Sequence, residues 1–154
     1  MSPQHTEFVQ RNEPYVANFG DKEWNKNWTF ELHAWTPDLT YLGIKEGDAH
    51  VIRNAGGVSK DEIRSIILSQ RLLGTREIAV FHHTDCGMLA FTSDYGMQTW
   101  LHVLTPSTFL EFKNLEESVK EDVAWLKNEP LVLPETTVTG WIYDVKSGKV
   151  SQVV

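Results

Sequence analysis

The sequence predicts an α/β fold, with a mostly parallel β-sheet flanked by helices. Three observations carry that prediction. Apolar stretches of strand length stand at residues 49–53, 77–81 and 137–143. Helical patterns with start and stop signals run over about 59–73 and 115–127. Strand, helix and strand within residues 49–81 have the size of a βαβ unit, whose strands are parallel and whose crossover is right-handed.

Each element has its own grounds. Residues 7–19 place Phe8, Val9, Tyr15, Val16 and Phe19 among polar residues, which predicts a short amphipathic helix followed by a turn at Pro14. Residues 49–53 read as a strand ending at the flexible Asn54-Ala55-Gly56-Gly57, with His50 as a hydrogen-bonded core histidine. Ser59 is the expected N-cap of the next helix, with Glu62 completing a capping box. Ile63, Ile66, Ile67 and Leu73 recur at helical spacing, and Gly74 is the stop. Ile78-Ala79-Val80-Phe81 reads as a buried strand. Asn114 is the expected cap of the second marked helix. Glu116 and Glu117 suit its positive end, Val119, Val123 and Leu126 form its core stripe, and Pro130 follows it. Residues 137–143 form a strand, and 144–150 turn into a short final one. Residues 93–108 give the least legible pattern; Trp100, Leu101, Val103 and Leu104 fit a buried helix or an interface patch.

With no repeats or linkers, the 154 residues read as one domain over 1–154, long enough for a full core. A net charge of −7 argues against broad nucleic-acid binding, which needs clustered Lys and Arg. No apolar run approaches the roughly 18 residues that span a membrane, and the polar N-terminus lacks a signal-peptide core. One cysteine, Cys86, excludes an intrachain disulfide and suits a reducing compartment, so a cytoplasmic location is expected.

The chemistry concentrates at His82-His83-Thr84-Asp85-Cys86-Gly87-Met88. His83 and Cys86 stand three apart just after a predicted strand, and strand ends of open α/β sheets are where ligand groups collect. Imidazole and thiolate at this spacing suit zinc. The same pair also fits a nucleophile–base dyad. His82 reads as a strand-end surface histidine or a proton shuttle. No phosphate-binding Gly-x-x-x-x-Gly-Lys loop occurs.

The block from Gly47-Asp48-Ala49-His50-Val51-Ile52-Arg53-Asn54-Ala55-Gly56-Gly57 through Arg64-Ser65 and Leu73-Gly74-Thr75 to His83-Thr84-Asp85-Cys86-Gly87 resembles the β-class carbonic anhydrases. So do Asn114-Leu115-Glu116-Glu117-Ser118-Val119, Asp122-Val123 and Val138-Thr139-Gly140-Trp141-Ile142-Tyr143-Asp144-Val145; the resemblance covers roughly 43–91 and 109–150. It implies reversible hydration of carbon dioxide to bicarbonate by zinc-bound hydroxide. It makes His83 and Cys86 metal ligands, with Gly87, Gly56 and Gly57 letting substrate approach. It also implies a homodimer or larger even assembly with the zinc near the subunit interface.

That family opens its site with Cys-x-Asp-x-Arg, which supplies a second thiolate and an Asp–Arg pair. Counting back without gaps, this chain has Glu31, His33 and Trp35 at those three positions. Three readings follow. His33 or Glu31 completes the metal site as a substitute ligand. Alternatively, the chain is a catalytically degenerate member acting as a non-enzymatic assembly or binding protein. Lastly, residues 24–41 depart from the native coding frame, since Leu32-His33-Ala34-Trp35-Thr36 can be encoded so that a one-base shift reads Cys-Met-x-Gly-Arg. A related hydrolase acting on carbonyl sulfide or carbon disulfide is a further reading, because the same nucleophile attacks those carbons.

Overall fold

The computed structural model of the chain describes residues 8–17, 42, 49–90 and 109–154. Among these residues the centre is a three-stranded sheet in the order β1 (Glu77–His83), β2 (Thr137–Tyr143), β3 (Val150–Gln152). β1 and β2 are parallel, paired from Glu77 opposite Thr137 to His83 opposite Tyr143. β3 returns antiparallel, from Trp141 opposite Gln152 to Tyr143 opposite Val150. The predicted helices-plus-sheet architecture is therefore present, with parallel pairing over the longer edge.

Successive side chains of a strand point to opposite faces, and the two faces bury different chemistry. On one, Ala79 and Phe81 of β1 pack with Trp141 and Tyr143 of β2, Val150 of β3, Leu42 and Phe8. Phe8 comes from helix α1 (Phe8–Ala17). Its ring meets Trp141 edge-on with centroids 5.4 Å apart, and Phe81 stacks on Trp141 at 5.9 Å. On the other face lie Val80 and Val138 with Ile66, Val123, Leu126 and Val132, flanked by Ile63 and Ile78.

Helix α3 (Leu115–Asn128) supplies Val123 and Leu126. It starts as the sequence predicts, with the Asn114 side chain accepting from the Glu116 and Glu117 amides at 3.1 and 3.2 Å. Its axis comes close to β2 because residue 140 is glycine. A Cβ there would lie 2.5 Å from Val119 Cγ1 and 3.0 Å from Val123 Cγ2.

Several expectations are corrected. The α1 helix runs through Pro14 to Ala17 instead of turning there. Residues 49–53 form no strand: they have no ladder partner among the described residues, and His50 is exposed, not a core histidine. Ser59 makes no side-chain cap. Its amide donates to Asp122 Oδ2 at 3.1 Å, and Glu62 accepts instead from Ser65 Oγ. The predicted single helix is a 3-10 turn (Ser59–Glu62), then α2 (Ile63–Leu68), then a π-helical turn (Ser69–Leu73). It does end at Gly74, whose φ of 73° is left-handed as a helix stop requires. The readings of residues 24–41 and 93–108 lie outside the described residues. Among the described residues no helix is long and apolar enough to cross a membrane.

Candidate metal centre

β1 ends in two histidines, and alternation sends them to opposite faces. His82, read from sequence as a surface residue or proton shuttle, is 1% exposed. Its Nδ1 lies 2.9 Å from Ser118 Oγ and its Nε2 3.2 Å from Asp122 Oδ2, both on α3. Phe112 stacks on its ring at 5.2 Å. A cavity of about 100 Å³ opens beside it, lined by Val58, Phe112, Ser118 and Asp122 among others, and neither His83 nor Cys86 reaches it. His82 is thus a core element joining β1 to α3.

His83 faces the other way and is partly buried. Its Nδ1 sits 2.8 Å from the Thr84 carbonyl oxygen. A carbonyl only accepts, so Nδ1 carries the proton and donates it. Desolvation by burial, the largest influence, lowers the pKa of this imidazole, with the His82 ring adding to it. The Thr84 carbonyl and Asp85 pull the other way. In the neutral ring, Nε2 is then left with a bare lone pair. That is the state a metal-ligating histidine needs, with its other nitrogen fixed by a hydrogen bond.

Beyond His83 the chain turns sharply. Asp85 takes a φ of 56°, and its carboxylate meets Lys146 Nζ at 3.2 Å on the exposed side. Cys86 is buried and free. Burial pushes its thiol pKa up, and a hydrogen bond from the Met88 amide draws it back down. Burial outweighs that hydrogen bond, so the sulfur favours the thiol, and a bound cation would be what stabilises the thiolate. A short 3-10 turn (Gly87–Leu89) closes the loop, with the Leu89 amide donating to the Cys86 carbonyl at 3.1 Å.

The three glycines singled out in the sequence behave differently. Gly87 is exposed, and a Cβ there would meet nothing within 4 Å. Gly56 and Gly57 have left-handed φ values of 78° and 72°. The neighbours that approach them belong to this chain: a Cβ on Gly57 would lie 2.5 Å from the Phe81 carbonyl oxygen, and one on Gly56 3.0 Å from Met88 Cγ. They seat the 55–57 turn on the end of β1 and on the Cys86 loop.

Among the described residues no group of three His, Cys, Asp or Glu is placed to hold a metal ion. His83 and Cys86 supply an imidazole nitrogen and a sulfur, a donor pair that fits zinc. His33 and Glu31, the candidates to complete the set, lie outside the described residues.

Sequence reasoning missed what steadies this loop. Thr84 donates its amide to the Tyr143 carbonyl at 2.9 Å, and its hydroxyl stands between Asp144 Oδ1 at 3.3 Å and the Val145 amide at 3.0 Å. No local pattern marks it, because Thr84 and Asp144 are brought together only by the parallel pairing of β1 with β2.

No protein-family model matches the chain. Over 116 residues it is 45% identical to Beta-carbonic anhydrase 1 of Mycobacterium tuberculosis, spanning 73% of this chain and 71% of that one. It is 37% identical over 136 residues to a carbon disulfide hydrolase of Saccharolobus solfataricus, spanning 70% of this chain and 67% of that one. Among solved structures, the carbonic anhydrase from Glaciozyma antarctica superposes with a TM-score of 0.73 at 41% identity, over all of both chains. That from Streptococcus mutans gives 0.71 at 35% identity, over 100% of this chain and 99% of that one. The chain belongs to the β-carbonic anhydrase family.

Proposed function

We propose that this family member holds zinc through His83 Nε2 and Cys86 Sγ and catalyses the reversible hydration of carbon dioxide to bicarbonate. The observation that carries the reading is the His83 Nδ1 to Thr84 carbonyl bond, which leaves the Nε2 lone pair available three residues before a cysteine with an N–H on its sulfur. Zinc, when bound, lowers the pKa of a coordinated water to about 7, a value established for three-histidine sites, and so supplies a nucleophile at neutral pH.

The chain's own residues prepare for that role. Burial lowers the pKa of His83 and so favours its neutral ring, and the Thr84 carbonyl holds the proton on Nδ1. Cys86 would hold the metal as the thiolate, with its proton passing to solvent, and the Met88 amide would offset part of the charge on sulfur. Gly87 leaves open space over the loop where a small linear substrate can come close. His33 or Glu31 completes the ligand set from the segment where the family carries Cys-x-Asp-x-Arg. An even-numbered assembly, starting from a homodimer, and a cytoplasmic location belong to the same reading.

Two observations favour other readings. The sequence similarity to carbon disulfide hydrolases favours carbon disulfide or carbonyl sulfide as substrate. The absent Cys-x-Asp-x-Arg favours a non-catalytic binding protein on the same scaffold. One experiment separates them: zinc content per chain on the purified protein, with carbon dioxide hydration and carbon disulfide hydrolysis assayed on the same sample. About one zinc with hydration supports the proposal, and His83→Ala and Cys86→Ala are each expected to lose both. Activity on carbon disulfide alone moves the substrate. Zinc without either activity, or no zinc, overturns the enzyme reading.

A further inference from the structure

The strand ends β1 and β2 emerge at the same sheet edge because His83 pairs with Tyr143 in the last parallel register position. Just past it, the β2–β3 hairpin and the His83–Cys86 loop are tied together through one residue. Every polar group of Thr84 is committed. Its amide donates to the Tyr143 carbonyl at 2.9 Å. Its hydroxyl donates to Asp144 Oδ1 at 3.3 Å and accepts from the Val145 amide at 3.0 Å. Its carbonyl accepts from His83 Nδ1 at 2.8 Å.

Asp144 is equally tied to its own hairpin. Its carboxylate accepts from the Lys146 amide and from Ser147 Oγ, both at 2.9 Å. Its amide and carbonyl bond Lys149 and Gly148 at 2.8 Å each. The hairpin is fixed to α1 by Asn12, a buried residue that donates to the Gly148 carbonyl and accepts from the Val150 amide, both at 3.0 Å. A continuous set of hydrogen bonds thus runs from α1 through the hairpin to the His83 imidazole.

We infer that Thr84 and Asp144 are positioning residues for His83: they hold the Thr84 carbonyl where it keeps the proton on Nδ1 and the lone pair on Nε2. This rests on the reading of His83 as a metal ligand. With the Thr84 amide and hydroxyl pinned, the direction of its carbonyl depends on the torsions at the Thr84–Asp85 link, and Asp85 is already in the left-handed region. Release of the hydroxyl frees that carbonyl to swing. An unheld neutral imidazole then divides between two tautomers, and only one presents Nε2. Partners of this kind typically change metal affinity by about 10- to 100-fold.

The test uses the full chain with ¹⁵N-labelled histidine and four variants. The side-chain ¹⁵N shifts of metal-free protein at fixed pH, with the imidazole neutral, report the His83 tautomer. Competition against a chelator reports Co(II) affinity. The parent is expected to hold Nδ1–H. Thr84→Val is expected to give a mixture of tautomers and about 10-fold weaker Co(II) binding, and Thr84→Ser to restore both. Asp144→Ala is expected to repeat the loss and Asp144→Asn, which keeps one acceptor oxygen, to recover most of it. Thermal melts check folding, and the Asp144 pair decides if Thr84→Val does not fold. An unchanged tautomer in the valine and alanine variants overturns the inference, even if Co(II) binding weakens. A parent that takes up no Co(II) while its tautomer responds as described overturns the metal reading and leaves the brace standing.

Discussion

The two faces of the sheet are built on different principles. The α1 face is aromatic and joined by area: Phe8, Phe81 and Trp141 meet with centroids 5.4–5.9 Å apart, and Trp141 is 1% exposed. The α3 face is joined by fit. Val119 and Val123 close over the bare Cα of Gly140, and beside them a buried polar set of His82, Ser118 and Asp122 is satisfied bond for bond. Aromatic surface stabilises in proportion to what it removes from water and tolerates small displacements. A helix packed on glycine, with a buried carboxylate beside it, tolerates neither an added methyl nor a lost acceptor. The difference teaches that equal burial on two faces does not mean equal tolerance.

The largest expected effect is on the aromatic face. Trp141→Ala removes the ring that Phe8 and Phe81 both contact and should cost about 3–5 kcal/mol in urea unfolding. A loss under 1 kcal/mol, on the scale of a surface change, would break the comparison from that side. On the opposite face, Asp122→Ala strands the His82 ring nitrogen and the Ser59 amide, both buried, and should cost about 3 kcal/mol. Gly140→Ala adds one carbon and should cost about 1–3 kcal/mol with an unchanged m-value. If it is neutral, α3 is not seated on Gly140 and the distinction between area and fit is lost. Asn114→Ala removes only the α3 cap and should cost about 1 kcal/mol.

The smallest effect is on acid stability. The Lys146 amide, with Ser147 and Thr84, holds the Asp144 carboxyl below its ordinary range, against a smaller opposing effect of burial. A carboxylate depressed in the fold contributes stability that is fully present above its unfolded pKa and is lost as pH falls through the folded one. Melting temperatures followed downward from about pH 4 should therefore fall less steeply for Asp144→Asn than for the parent. Parallel curves would remove Asp144 from the acid limb.

The sequence made α3 legible because its signals are local. Asn114 bonds amides two and three residues on, and Val119, Val123 and Leu126 need only the helical period to line up. The helix after Ser59 was misread because its cap is taken by a residue 63 positions away, and no local pattern reveals that Asp122 claims the Ser59 amide. Residues 49–53 have a strand-like pattern, yet a strand is defined by its neighbour, which a single segment does not show. At the site, the spacing of His83 and Cys86 was readable. The burial of His82 was not, because it depends on which way the β1 pleat faces α3. The brace was not legible either, since Thr84 and Asp144 lie 60 residues apart and meet only through the parallel register.

That separation has a consequence in time. During synthesis His83 and Cys86 leave the ribosome about 60 residues ahead of Asp144, which at roughly 5–20 residues per second is about 3–12 s. Through that interval the nascent loop has the two proposed ligands but not the Thr84–Asp144 contact that orients His83. A cation captured then would meet an imidazole free to present either nitrogen. A His83 with its tautomer already set must wait until the second parallel strand and its hairpin have been made, so on the proposed metal reading loading would belong to the end of folding.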